Sequence, residues 1–282
     1  MKSPLRMLQS LFRASPKPPT LPDDADELLL QMAKMGFVEV PDLDAPTPPP
    51  KVRPVDYQVE MTDRLVIRAK KIEPHPVSVF TIGDHRYIGI PRKPAKGGGL
   101  FLDEQKEENL ILRGNIYALI PRKQDLYIFT GAHRLYGSCG AIYVIRNCAT
   151  QFKPERITLL PAAPDAVYLH DFGPLDDDLL EIFAGTMEDV DLQKFVIAGW
   201  NCIMLFRPDN HLEIIVHGHP AMCGFRANSI VRDDSFYYFG SLRGVACVPT
   251  SWDLLVRNPF RCFVPLIPEE VPGWHEAQAS AQ

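Results

Sequence analysis

An all-β body behind a Pro-rich arm is the fold class this sequence predicts, and three observations predict it. From Val55 onward the 3.6-residue periodicity of amphipathic helices almost disappears. In its place come short apolar runs, rich in β-branched and aromatic residues and separated by Gly, Pro, Asn and Asp, as strands joined by turns require. Several runs also recur as a unit, in which an apolar strand ends in Gly, a polar loop follows, and a second Gly opens another apolar strand.

The unit appears as Tyr87 to Gly89 followed by Gly98 to Leu102, and again as Leu126 to Gly131 followed by Gly140 to Ile145. Leu180 to Gly185 with Gly199 to Met204, and Phe236 to Gly240 with Gly244 to Val248, are read as the third and fourth copies. The first glycines, Gly89, Gly131, Gly185 and Gly240, are 42, 54 and 55 residues apart. In the last three copies a further run precedes the pair (from Asn115, Asp165 and Asn228) and another follows it (from Arg156, His211 and Arg261). Four strands per unit of this length resembles a β-propeller, whose blades bury both faces only against their neighbours. The resemblance is to an architecture and covers roughly residues 55–267 of a domain drawn at residues 55–272. It implies four or five degenerate blades, with a fifth from Val55 to Phe80, and carries neither the WD40 nor the kelch signature. An irregular β-sandwich is the alternative.

Residues 1–54 differ from this body. The chain has 27 prolines in 282 residues, about twice the usual ~5%, and eleven of them precede residue 55. Within this arm, Asp23 to Met35 predicts one helix near 23–35, with acidic residues at its entry, Leu28, Met32 and Met35 at helical spacing, and Gly36 as a stop. Before it, Leu5, Leu8, Leu11 and Phe12 would share one helical face with Lys2, Arg6 and Arg13 elsewhere, so residues 1–14 suit weak association with a membrane surface or a partner. Residues 273–282 are expected as a flexible tail.

Thirty basic against 35 acidic side chains give a net charge of −5, which argues against a general nucleic-acid binder that must neutralise many phosphates. No apolar run is long enough for a transmembrane helix. The six cysteines form no CxxC pair and mostly lie in apolar runs, as reduced core thiols of a cytoplasmic protein do. The three tryptophans, Trp200, Trp252 and Trp274, are expected in the core.

Four constellations carry possible chemistry. His217 and His219 alternate onto one face of a strand, and with Cys223 they could hold zinc, although Pro220 and the nearby glycines equally describe a solvated strand end. Cys139, between Gly137 and Gly140 with His133 upstream, could be an activated thiol; the plainer expectation is that it faces inward. Asp176, Asp177, Asp178, Glu188, Asp189 and Asp191 form acidic loops suited to a basic partner. Arg92 and Lys93, Arg122 and Lys123, and Arg134 could hold an anion through bidentate guanidinium contacts if the fold gathers them.

The function these features favour is non-catalytic binding of another protein, as an adaptor or as an immunity protein that neutralises a basic toxin. Small bacterial propeller-like proteins supply that analogy, which is one of fold only. The rival is a hydrolase or lyase acting on a small anionic or sugar substrate in the propeller channel. It would use His217, His219 or loop carboxylates as acid and base.

Overall fold

In the computed structural model the described residues are 23–40, 55–70, 77–91, 98–134, 137–170, 194–207, 210–217, 225–250 and 260–279. The chain is mostly β, in small antiparallel sheets, as the loss of helical periodicity predicts. Helix α1 (Asp23–Lys34) leads into β1 (Phe37–Val40), and β2 (Asp56–Met61) pairs with β3 (Leu65–Lys70) as a hairpin. The first four-stranded sheet is β4 (Ser78–Ile82), β5 (His85–Ile90), β6 (Gly99–Leu102) and β7 (Leu110–Arg113). The second is β8 (Asn115–Arg122), β9 (Asp125–Arg134), β10 (Gly137–Ile145) and β11 (Glu155–Leu160). The third is β12 (Pro164–His170), β13 (Lys194–Gly199), β14 (Cys202–Arg207) and β15 (His211–His217). In the fourth, β16 (Ala227–Arg232), β17 (Phe236–Ser241), β18 (Gly244–Pro249) and β19 (Arg261–Pro265) run in order, and β1 adds to β19 as an outer fifth strand. Helix α2 (Trp274–Ala279) follows.

Strict alternation of side chains across each strand explains the continuous apolar runs. In β17, Phe236 and Tyr238 join one buried cluster while Tyr237 and Phe239 join the next. β13 divides likewise, Val196 and Ala198 going one way and Phe195 and Ile197 the other. In β9, Tyr127 and Phe129 face the third sheet, and Leu126 and Ile128 face the first. Four apolar interfaces therefore join five β layers, counting the β2–β3 hairpin as one. Two packed layers, the sandwich alternative, do not describe that arrangement.

The glycines of the repeat lie where one sheet crowds the next. A Cβ on Gly89 of β5 would fall 2.6 Å from Ile116 Cγ2 on β8, and one on Gly131 of β9 would fall 2.6 Å from Ala163 Cβ, just before β12. On Gly240 of β17 it would strike the Tyr57 carbonyl of β2. So the recurring glycine admits the first strand of the following layer. The third copy is in a different register from the one expected: the second strand of that sheet is Lys194–Gly199 and the third is Cys202–Arg207, while Gly185 lies outside the described residues. In the first copy, Ser78–Ile82 belongs with β5 to β7, which leaves the expected fifth blade from Val55 to Phe80 as the β2–β3 hairpin alone.

The packing also crosses the sequence division at residue 54. α1 begins at Asp23 as expected, and Gly36 ends it at φ +79. Leu28 and Met32 enter a cluster with Tyr57, Ile67, Tyr238 and Phe263. β1 is fastened through Glu39, whose carboxylate accepts two hydrogen bonds of 2.7 Å from Arg261 Nε and Nη2. The stretch expected as a tail contains α2, whose Trp274 and Ala277 are buried in that same cluster.

Candidate functional site

Among the described residues two places concentrate chemistry, one where the first strands of the layers meet and one beside α1. β4 touches β8, β8 touches β12, β12 touches β16, and β16 touches β2. Polar side chains open several of these strands. Asn228 Nδ2 donates to Asp56 Oδ1 at 3.4 Å, Ser229 Oγ donates to Asn228 Oδ1 at 2.8 Å, and the Val59 N–H donates to Ser229 Oγ at 3.0 Å. Across the next junction Arg226 Nη2 lies 3.0 Å from Asp165 Oδ1, the Asp165 side chain being only 3% exposed. Burial pushes Tyr117 up to about 12, with the Asp165 charge adding to it and Arg226 opposing it. Desolvation likewise raises Asp56 against the pull of Asn228 and Arg226. These groups engage one another across layers, which suits a polar seam between sheets.

The second place is a cleft of about 1000 Å³ between α1, β3, the turn before β17 and the segment after β19. Its floor is core: Leu28, Phe37, Ile67, Phe236 and Val271 line it. Its mouth holds Leu30, Leu266 and Ile267, which are 55%, 66% and 47% exposed. Around them stand four acidic residues, Glu27, Asp233, Asp234 and Glu270, against two basic ones, Lys34 and Arg64.

One wall is fixed by a hydrogen-bonded chain. Asp233 Oδ1 accepts from the Ser235 and Phe236 N–H groups at 2.9 and 2.7 Å, which sets the turn. Its Oδ2 accepts from the Tyr238 hydroxyl at 2.5 Å, and that hydroxyl also lies 3.2 Å from Gln31 Oε1 on α1. Burial and the bond to Asp233 both hold the Tyr238 phenol well above its usual range, so it stays a donor. Docking of α1 and the shape of the cleft are thereby tied together.

The expected sites fare differently. Arg122 is 7% exposed at the end of β8, and Lys123 takes φ 54 in the turn to β9, where it shapes a hairpin. Arg134 ends β9, at the far end of a ten-residue strand, about 30 Å away at the usual rise. Arg92 and Lys93 lie outside the described residues, as does the side chain of Arg134. His217 ends β15 and is exposed, while His219 and Cys223 are not described. Among the described residues no three His, Cys, Asp or Glu side chains gather as a metal site. Cys139 is exposed, contrary to the inward orientation expected, because its end of β10 carries it to the surface; Cys148, Cys202, Cys247 and Cys262 are buried, as expected. Trp200, expected in the core, is 40% exposed in the turn between β13 and β14. Trp252 and the acidic loop residues Asp176, Asp177, Asp178, Glu188, Asp189 and Asp191 lie outside the described residues.

Neither the seam nor the cleft stands out as a motif. Asp56, Tyr117, Asp165, Arg226 and Asn228 are spread over most of the chain, so no local spacing marks them. A signal did exist in the repeat, since Asp165 and Asn228 each fall at the start of a run that precedes a hairpin.

No protein-family model matches the chain, and no curated protein matches its sequence. The fold and its sites define a class, that of a mostly antiparallel β protein of stacked small sheets. No helix among the described residues is long and apolar enough to cross a membrane.

Proposed function

We propose that this protein is a non-catalytic binding module for another protein, of the adaptor or toxin-neutralising immunity type. Its sheets act as the blades of a propeller-like stack, and it works in the cytoplasm on a basic partner. The observation that carries the reading is the cleft beside α1. Exposed Leu30, Leu266 and Ile267 stand over an apolar floor within an acidic rim, the arrangement of apolar centre and polar surround that protein interfaces use. The proline-rich sequence on either side of α1 and the acidic residues between Asp176 and Asp191 suit the same use.

Three buried thiols and two carboxylates are held in structural roles. Burial pushes the Cys202 thiol up to about 11 and the Cys148 and Cys247 thiols in the same direction, away from the thiolate a nucleophile needs. Asp165 is engaged by Arg226, and Asp233 by two backbone donors and a phenol.

The test compares full-length protein with its Leu30→Asp, Leu266→Asp double variant, each purified by affinity tag from the native host. Both leucines are more than half exposed, so the variant keeps the core. A stoichiometric basic protein that accompanies the wild type and is lost from the variant is the expected result. Equal retention by both would remove the cleft from the account. Tightly held zinc, lost on His217→Ala with His219→Ala, would favour the hydrolase or lyase reading instead.

A further inference from the structure

We propose that residues 1–14 of the same chain occupy the cleft beside α1 in the resting protein, so that a partner must displace them. The inference rests on the docking reading above and names the first occupant of that surface. Three observations converge on it.

The cleft is first of all an opening in the core. Leu28, Phe37, Ile67, Phe236 and Val271 belong to the cluster that holds α1, the hairpin and the fourth sheet together, and all five line a space of about 1000 Å³. That volume is at the upper end for sites that bury most of a sizeable ligand. A row of apolar side chains from one short helix fills such a space and removes Leu30, Leu266 and Ile267 from water.

Residues 1–14 have the matching chemistry. On a helix, Leu5, Leu8, Leu11 and Phe12 fall on one face, and Lys2, Arg6 and Arg13 supply positive charge. No acidic residue precedes Asp23, whereas the cleft rim has four acidic against two basic residues. An isolated helix this short is marginal in water, so an apolar seat with opposite charge is what stabilises it.

The tether reaches. Residues 15–22 include four prolines and span about 25 Å when extended, at ~3.1 Å per residue. α1, which starts at Asp23 and itself lines the cleft, is 12 residues long, about 18 Å. The arm therefore can double back along the helix it precedes. Attachment through so short a linker supplies an effective concentration in the millimolar range, enough to hold a segment whose free affinity is weak. The basic, apolar arm would then stand in for a basic, apolar partner.

The experiment uses a fluorescent synthetic peptide of residues 1–14, titrated against two full-length proteins by anisotropy. One is the wild type and the other carries Leu8→Glu, Leu11→Glu and Phe12→Glu in its own arm. The expected result is saturable one-to-one binding that is about ten- to a hundredfold tighter for the arm variant, its cleft being vacant. Adding Leu266→Asp to the arm variant should abolish that binding. Equal affinity for the two proteins, or binding to neither, overturns the proposal. So does a wild-type dimer in light scattering that the arm substitutions dissociate, since the occupant would then be the arm of a second copy. Should any of these outcomes overturn the inference, a partner that is still lost on Leu30→Asp with Leu266→Asp shows that the docking reading stands without it.

Discussion

At one end of the stack the first sheet turns Val77 and Val79 to solvent, 49% and 48% exposed. At the other end the fourth sheet is covered by the β2–β3 hairpin, α1 and α2, which leave Tyr238 and Phe263 fully buried. β4 accordingly alternates between half-buried and exposed positions, while β17 and β18 are buried throughout. The covering elements come from opposite ends of the chain, α1 and β1 from before residue 55 and α2 from beyond residue 272. They do not fill their end completely, and the cleft is what they leave. Repetition thus builds the middle of the molecule, and the feature suited to a partner arises where the repeat gives way to irregular elements.

Substitutions ranked along the stack test this contrast. Phe195 is fully buried between the second and third sheets, with its ring centroid 4.8 Å from that of Tyr127 and 5.3 Å from that of Phe129. Phe195→Ala should cost about 3–5 kcal/mol in urea or thermal unfolding. At the covered end Met32, also fully buried, should cost less as Met32→Ala, about 2–3 kcal/mol, because the neighbouring cleft lets α1 settle. Equal losses at both sites would mean that the helix packs as tightly as the repeats do.

A pH titration probes the interface between the third and fourth sheets. Burial pushes Tyr237 up to about 12, with Tyr168 adding and Arg232 opposing. Its folded value exceeds its unfolded value near 10, so the unfolded chain releases the phenolic proton first as pH rises. The stability it confers is complete below pH ~10 and should fall from there through pH ~12. Denaturation midpoints should decline over that window, and less so in Tyr237→Phe. Smallest of all, Val79→Ala at the open end should change stability by less than about 0.5 kcal/mol; a larger loss would show that something covers that face.

How much of this was legible depended on how local each signal was. Alternation and the glycine-bounded hairpins revealed three of the four sheets, because Gly89, Gly131 and Gly240 meet their neighbours in the same way. The third copy was misread because Leu180 to Gly185 imitates the unit, whereas the second strand of that sheet is β13 (Lys194–Gly199), whose apolar run ends at Gly199. α1 was found from its caps and spacing. Its burial was not, since Tyr57, Ile67, Tyr238 and Phe263, which share the cluster of Leu28 and Met32, lie 25 or more residues further along the chain and composition reports only that prolines surround it. For the basic residues the sequence shows pairs but not their spacing in the fold: Arg122 closes β8 opposite Asp125 at the start of β9, whereas Arg134 closes β9. The seam of Asp56, Asp165, Arg226 and Asn228 depends on contacts between layers, which a single chain read in order does not display.

The central claim is that a partner protein docks at the cleft beside α1. Hydrogen exchange followed by mass spectrometry tests it most directly, on the full-length protein carrying Leu8→Glu, Leu11→Glu and Phe12→Glu so that its own arm leaves the cleft open, with and without its stoichiometric partner. The account predicts slowed exchange in residues 27–37 and 264–272 and little change in the first sheet. Protection confined to residues 171–193, or to the strand starts around Asp165 and Asn228, would contradict it.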